Sequence, residues 1–105
     1  MAPKARAFLA SLKVALAGAD RQKVAAMVQY PLSANAGKTH RVIRDSAEFV
    51  KDYDRLFTAA VLRAVKNQVP ECLFANWQGV MIGSGEVWFE EQTNGSMKIK
   101  TINIP

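Results

Sequence analysis

The chain has 105 residues, of which 50% are hydrophobic and 22% charged, a composition typical of one globular domain with a single core. It contains no run of 18 apolar residues, so no membrane-spanning helix is predicted, and its single cysteine, Cys72, excludes an intrachain disulfide and a multi-cysteine metal site. The net charge of +5 is concentrated in residues 1–44, but the basic residues there are spaced singly and without interleaved aromatic residues, so nucleic-acid binding is not expected.

The first third of the chain is predicted to be helical. Residues 4–17 have the pattern of a first helix, which Gly18 is expected to close in a left-handed conformation. Asp20 is predicted to cap a second, shorter helix that ends at Pro31. The apolar residues that repeat at helical spacing in these segments are Ala5, Phe8, Leu9, Leu12, Leu16, Val24, Met27 and Val28. Two helices are therefore expected before any strand.

The clearest periodic pattern predicts one long helix from Asp45 to about Gln68. Asp45 followed by Glu48 is the spacing of a capping box, and Pro70 marks a point that the helix cannot pass. Apolar residues form one stripe along this segment: Phe49, Val50, Tyr53, Leu56, Phe57, Ala60, Val61, Ala64 and Val65. A helix with one broad apolar face is expected to lie on a sheet.

The other segments are rich in β-branched and aromatic residues, which favour strands. The predicted strands are 32–36, 40–44, 72–76, 79–82, 86–91 and 97–104. Asn94-Gly95 is the strongest hairpin signal in the chain. The links between the last four strands are too short for parallel crossovers, so antiparallel neighbours are expected. The predicted fold class is α+β, with three helices on a bent, mostly antiparallel sheet.

Three segments and this order of elements carry a family resemblance: VQYPL at 28–32, SAEFVKDYD at 46–54 and WQGVMIGSGEVWF at 77–89. They are similar to the nuclear transport factor 2-like family of the cystatin-like superfamily, and in particular to small bacterial members that are often exported. The resemblance covers nearly the whole chain and implies a cone-shaped fold. This fold hosts isomerases, dehydratases, cyclases, carriers and binding modules, so it does not by itself imply an activity.

The compartment is left open between two alternatives. The first residues, Met1-Ala2-Pro3-Lys4, lack the charged and apolar regions of a secretory signal. The chain is therefore expected to be either cytoplasmic or the mature form of an exported protein. The resemblance to exported bacterial members favours the second, periplasmic or exported, alternative.

The resemblance also implies a pocket at the open end of the cone, between the helices and the concave face of the sheet. The candidate lining residues, which would form an apolar cavity with a few polar tips, are Tyr30, Phe49, Tyr53, Phe57, Trp77 and Met81. Tyr30 and Tyr53 are favoured because a buried tyrosine hydroxyl needs a partner, water or ligand. The alternative is that these aromatic residues fill the core of a small domain.

No catalytic, metal-binding or cofactor-binding set is predicted. Steroid-isomerase chemistry in this family requires a carboxylate base just after the second helix, where residues 30–35 contain no acid. The first helix contains no tyrosine for an oxyanion hole either. An acid/base couple of His40 and Asp45, or a pocket tyrosine, would be needed for a small lyase or isomerase.

The strand predicted at 86–91 indicates a possible interface. Alternation places Val87 and Phe89 on one face and Trp88 on the other. If Val87 and Phe89 face the core, Trp88 lies on the outer sheet face as an interface anchor, and the resemblance implies a homodimer through that face. The opposite phase would place Trp88 inside the cone.

Three functional hypotheses follow. The first is a non-catalytic binding domain, either with a pocket for a small apolar or amphipathic ligand or as a protein-interaction module. The second is a small lyase or isomerase of the ketosteroid isomerase-like type that uses His40, Asp45 or a pocket tyrosine. The third is an inhibitor or immunity-type protein that binds an acidic partner through its basic first half.

Overall fold

Six strands form one sheet in the order β2-β1-β6-β5-β4-β3 in the computed structural model, which describes residues 2–105. Adjacent strands are antiparallel, except β1 and β6, which are parallel. The strands are β1 (Val28–Ala36), β2 (Thr39–Ile43), β3 (Phe74–Asn76), β4 (Gly79–Ile82), β5 (Val87–Glu91) and β6 (Met97–Ile104). The predicted α+β class with a mostly antiparallel sheet is confirmed.

Helices cover one face of this sheet. They are α1 (Ala2–Ala17), α2 (Arg21–Ala25), α3 (Ser46–Lys51), α4 (Tyr53–Leu56) and α5 (Ala59–Asn67), followed by a single 3₁₀ turn at Pro70–Cys72. The core lies between the helices and the inner face of the sheet, where Phe8 of α1 packs on Phe89 of β5 with ring centroids 4.6 Å apart. None of the helices formed by residues 2–105 has both the length and the apolar character needed to cross a membrane.

The prediction of one continuous helix from Asp45 to Gln68 is wrong, because the segment forms three helices. Asp45 does cap α3, accepting a hydrogen bond from the Glu48 amide at 2.9 Å. The helical conformation is then interrupted at Asp52 and again at Phe57–Thr58, where Thr58 caps α5 by accepting a hydrogen bond from the Val61 amide. The apolar stripe is correct in spite of these breaks, since all nine of its residues are buried or half-buried. The two breaks let the segment bend over the sheet while the stripe stays against the core.

The connection between the first two helices also differs from its prediction. Ala19, at φ 50°, is the left-handed residue that follows α1, and Gly18 is not. The Asp20 amide donates to the Ala15 carbonyl and the Ala19 amide donates to the Leu16 carbonyl, the two bonds of a Schellman motif. Asp20 then caps α2 as predicted, accepting from the Lys23 amide at 3.1 Å.

The second helix ends six residues before the predicted stop at Pro31. From Met27 onward the backbone is bonded to the sheet, since the Met27 carbonyl accepts a hydrogen bond from the Ile99 amide at 2.8 Å. Strand β1 therefore begins at Val28 and runs through Pro31, whose peptide bond with Tyr30 is cis. The register between β1 and β6 shifts in this stretch, between Val28 and Ser33.

The hairpins agree with the sequence pattern. Strands β1 and β2 pair from Leu32↔Ile43 to Ala36↔Thr39 around a two-residue turn. The turn that contains Asn94-Gly95 joins β5 to β6, and the Gly95 amide donates to the Gln92 carbonyl at 2.9 Å. Strands β4 and β6 have their predicted bounds, whereas β3 begins two residues later than predicted because residues 70–72 form the 3₁₀ turn.

Candidate binding surfaces

Four of the six predicted pocket residues form one packed aromatic cluster: Tyr30, Phe49, Tyr53 and Phe57. Phe49 lies at its centre, with its ring centroid 6.5 Å from that of Tyr30 and 6.1 Å from those of Tyr53 and Phe57. Phe49, Tyr53 and Phe57 are at most 5% exposed. The rings meet mostly edge to face, which is a favourable arrangement for packed aromatic side chains. These side chains fill the space that the sequence assigned to a pocket.

The two hydroxyl groups of the aromatic cluster remain protonated at neutral pH. Tyr30 donates its hydroxyl hydrogen to the Ala25 carbonyl at 2.8 Å, and burial, together with the charge of Asp45, raises the pKa of Tyr30 to about 12. Burial also raises the pKa of Tyr53, and the neighbouring Arg21 guanidinium opposes part of this shift. Arg21 lies 5.0 Å from the Tyr53 ring centroid and binds both carboxylate oxygens of Asp54 at 3.0 and 3.1 Å. Neither phenol is therefore suited to act as a base.

The other two predicted pocket residues lie elsewhere. Trp77 is 90% exposed, in the turn between β3 and β4. Met81 is half-buried on β4, where it pairs with Trp88 of β5 on the face of the sheet that the helices do not cover. The structure thus brings together four of the six residues and separates Trp77 and Met81 from them.

The groups proposed for acid/base chemistry are not brought together by any hydrogen bond. His40 lies on the outer face of β2 with its Nδ1 atom 2.6 Å from Asn35 Oδ1, whereas Asp45 is occupied as the cap of α3. Cys72 is exposed in the 3₁₀ turn. Within residues 2–105, no three His, Cys, Asp or Glu side chains converge to form a possible metal site.

The Gly83-Ser84-Gly85 loop has its first two amides occupied by side chains of the protein. Gln68 Oε1 accepts a hydrogen bond from the Gly83 amide, and Glu86 Oε1 accepts one from the Ser84 amide, each at 2.6 Å. A phosphate would have to displace the Gln68 amide oxygen and the Glu86 carboxylate to reach these two donors. The loop is therefore not arranged as an anion-binding loop.

A row of six side chains crosses the outer face of the sheet and uses one residue from every strand. Direct cross-strand pairs connect its members, which we call the outer row: Val42, Ser33, Thr101, Trp88, Met81 and Phe74. Val87 and Phe89, on either side of Trp88, are fully buried, so the predicted phase of β5 is correct and Trp88 does not lie inside the core. The outer row is apolar at both ends, where Phe74 is 51% and Val42 45% exposed.

Polar groups flank the outer row on both sides. On one side, a chain of hydrogen bonds runs from His40 to Asn35, from Asn35 to Asn103 and from Asn103 to the Gly85 carbonyl. Because the Asn35 amide nitrogen donates to Asn103, its oxygen faces His40, and the His40 Nδ1 atom carries the proton that it donates. On the other side, Lys100 and Glu90 form an ion pair at 2.8 Å. Four of the six residues of the outer row are apolar, and a mainly apolar surface between polar margins is the arrangement typical of a protein interface.

The sequence did not identify Val42 and Phe74 as members of this surface, although a signal for Phe74 was present. The predicted strands 72–76 and 79–82 leave a two-residue turn at Trp77-Gln78. A tight hairpin of that length fixes the pairing of Phe74 with Met81, as the structure has it. Val42 could be placed only through the parallel pairing of β1 with β6, a non-local contact that no local pattern predicts.

No family model, curated protein or solved structure matches this chain. The resemblance to the nuclear transport factor 2-like family therefore stays a prediction that depends on the order of the elements and the three sequence segments.

Proposed function

We propose that the protein is a non-catalytic protein-interaction module that associates with a second copy of itself through the outer face of the sheet. The observation that carries this proposal is the outer row, which places Phe74, Met81 and Trp88 side by side on the face of the sheet opposite the helices, where Met81 and Trp88 are half-buried beside Gly85 and Phe74 is exposed. Tryptophan and methionine are enriched in interfaces, and tryptophan buries a large area at a low cost in conformational entropy.

A second copy is favoured over a strongly charged partner because the margins of this face carry both signs of charge. Glu90 on β5 pairs with Lys100 on β6, and Lys98 is the cross-strand neighbour of Glu90. A two-fold interface brings the same patch together with itself, so a patch with mixed charges can be self-complementary, whereas a patch of one sign repels its copy. From the basic first half of the chain, strand β2 contributes His40 to this margin, whereas Arg41 extends toward the helices and binds Asp52.

The size of the face is consistent with a modest affinity. The six strands contain three to nine residues each. At ~3.3 Å per residue and ~4.8 Å between strands, the sheet covers roughly 500 Å² per copy, below the ~800 Å² that each partner buries in a standard interface. Interfaces of this size belong to the weak and transient class, so a dimer that dissociates on dilution is expected.

The packing of the aromatic cluster supports a surface function over an enclosed pocket. Phe49 is fully buried among Tyr30, Tyr53 and Phe57, and the Tyr30 hydroxyl is already satisfied by the Ala25 carbonyl. A ligand in this position would have to displace side chains of the core. The nuclear transport factor 2-like resemblance agrees with the proposal, since it implies dimers through the outer sheet face.

The test is the concentration dependence of the molecular mass, measured by sedimentation equilibrium for the wild type, Trp88→Glu and Trp77→Glu. Trp88 is in the outer row, whereas Trp77 is an exposed tryptophan in a turn outside it and serves as the matched control. We expect a monomer–dimer equilibrium that Trp88→Glu weakens at least about 100-fold, because it places a charge in an apolar centre, and that Trp77→Glu leaves nearly unchanged.

Two outcomes would contradict the proposal. A wild-type protein that stays monomeric at millimolar concentration excludes self-association, and binding to an acidic partner or to a small ligand would then be the hypotheses to examine. A dimer that is lost in Trp77→Glu and kept in Trp88→Glu would locate the interface on the β3–β4 turn. Circular dichroism of each variant shows whether the fold is retained.

A further inference from the structure

A groove of about 390 Å³ separates α1 and α5 on the helical side of the molecule, away from the outer row. Its walls come from the last turns of α1 and the second half of α5: Lys13, Leu16, Ala17, Leu62, Val65 and Lys66. Four of these six side chains are apolar. Leu62 is 36% exposed, so a solvent-accessible apolar surface lies between two lysines.

The two lysines of this α1–α5 groove are not equivalent. The Lys13 ammonium donates to the Gln68 carbonyl at 2.7 Å and to the Lys66 carbonyl at 3.3 Å, so it is anchored at the C-terminal end of α5. The Lys66 ammonium takes part in no ion pair within residues 2–105. One cation is therefore held in place beside the groove, and the other is available to a ligand.

The charged residues around the α1–α5 groove favour a negatively charged ligand. Neither α1 nor α5 contains an acidic residue, and their charged residues are all basic: Lys4, Arg6, Lys13, Arg63 and Lys66. A negatively charged group at the rim of the α1–α5 groove would thus face cations from both helices. An apolar floor beneath a cationic rim is complementary to a molecule that combines a hydrocarbon chain with an anionic head.

We infer that the α1–α5 groove binds an anionic amphiphile of the fatty-acid class, with the hydrocarbon chain on Leu16, Leu62 and Val65 and the carboxylate beside the two lysines. A small molecule is favoured over an acidic helix because the groove has a volume of only about 390 Å³. A helix is about 10–12 Å across with its side chains and is too bulky for that volume, whereas a single hydrocarbon chain is narrow and flexible enough to follow the groove.

The first test maps the site by methyl and indole NMR during titration with sodium decanoate, below its critical micelle concentration. The expected result is a set of saturable shifts at the methyl groups of Leu16, Leu62 and Val65, with the Trp88 indole unaffected. Shifts that centre on Trp88, or that spread over the surface without saturation, would overturn the inference. Because the outer row is monitored in the same spectra, this test is independent of the dimer proposal.

The second test separates the roles of charge and apolar contact by calorimetric titration. Decanoate is compared with decanol and with decyltrimethylammonium, which keep the chain and change the head group. Lys66→Gln is expected to weaken decanoate binding about 5- to 10-fold and to leave decanol binding unchanged. Arg63→Gln removes a cation from the same helix but outside the groove, and is expected to have less than a twofold effect. Lys13 is left intact because it holds the end of α5.

The contact with the floor is tested by Leu62→Gln, which should weaken decanoate and decanol alike, because it removes apolar surface that both chains cover. Equal loss of decanoate affinity in Lys66→Gln and Arg63→Gln would show a general effect of net charge and would overturn the site. Tighter binding of the cationic amphiphile than of decanoate would overturn the choice of ligand. Leu62 is partly exposed, so its replacement is not expected to unfold the domain.

Discussion

The two faces of the sheet are made by the same strands and have opposite characters. The inner face is covered by the helices, and nine of its side chains are at most 3% exposed: Leu32, Ala34, Ile43, Val80, Ile82, Val87, Phe89, Ile99 and Ile102. The outer face carries the outer row, in which tryptophan and methionine stand beside threonine and serine. Because successive residues of a strand alternate between faces, one set of residues can hold the fold while its neighbours remain available for binding.

The largest expected difference between the faces concerns the neighbours Trp88 and Phe89. Phe89 is fully buried and its ring packs on Phe8, so Phe89→Ala should lower the free energy of unfolding by about 3–5 kcal/mol through lost contacts and a cavity. Trp88→Ala should cost only about 1–2 kcal/mol in the monomer, because no enclosed cavity forms on an open face. Urea denaturation, at a protein concentration where the monomer dominates, measures both values.

The milder variant Phe89→Leu covers the case in which Phe89→Ala does not fold, since the domain as a whole is expected to have a stability of only about 5–15 kcal/mol. The dimer association constant should show the opposite order, since Trp88→Ala is expected to lower it more than the Phe89 variants do. If Trp88→Ala destabilised the monomer as much as Phe89→Ala, the outer face would be part of the folding core and its proposed role in binding would fail.

The next comparison is between the ion pairs on the two faces. Arg41 extends from β2 toward the helices and binds Asp52 at 2.6 Å, where the Asp52 side chain is 13% exposed. The hydrogen bond from Arg41 is the main reason that the pKa of Asp52 is lowered, and burial opposes part of that effect. Asp52→Asn should therefore cost about 1 kcal/mol at neutral pH. Glu90→Gln, which breaks the pair with Lys100 on the outer face, should cost less than about 0.5 kcal/mol, because both of its side chains are about one-third exposed.

The two ion-pair variants also differ in how their stability responds to acid. Because the pKa of Asp52 is lower in the folded protein than in the unfolded chain, its contribution is present above the unfolded pKa of about 4 and is lost as the pH falls through the folded pKa. Asp52→Asn should thus lose stability less steeply than the wild type below pH ~4. Asp52→Asn should still lose some stability in acid, because the pKa of Glu91 is also lowered in the folded protein, by its hydrogen bond from Lys4. Wild-type and variant curves that stay parallel from neutral pH to pH ~3 would show that Asp52 does not contribute.

The sequence predicts which side chains meet the core better than it predicts where the backbone bends. The apolar stripe of residues 45–68 and the phase of β5 are correct because both depend on periodicity alone. The breaks at Asp52 and Thr58 were not predicted, since a stripe persists through a short non-helical turn. Thr58 did offer a signal, because a threonine followed by a helical segment is a preferred cap.

The candidate surfaces were harder to predict because they depend on register and on non-local packing. Tyr30, Phe49, Tyr53 and Phe57 do meet, as the pocket prediction required, but they fill the volume instead of enclosing it. The α1–α5 groove joins residues about fifty positions apart in the sequence, and only the crossing of the two helices brings them together. Helical periodicity had assigned Leu16 and Val65 to the core without indicating the gap between them.

The smallest expected effects concern the turn after α1, which lies on the helical side of the sheet. Ala19 adopts a left-handed conformation after α1, which an L-residue with a β-carbon adopts at a cost, so Ala19→Gly should raise the free energy of unfolding by about 0.5–1 kcal/mol. Gly18 does not need glycine for its conformation, and an added β-carbon would lie 3.6 Å from the Val14 carbonyl oxygen, an ordinary contact. Gly18→Ala is therefore expected to be neutral or slightly stabilising, whereas it would destabilise the protein if Gly18 were the left-handed residue, as the sequence alone suggests. Neither substitution should change the dimer dissociation constant, because both positions lie on the helical side of the sheet, away from the outer row. A change in that constant would show that the two faces of the sheet are coupled.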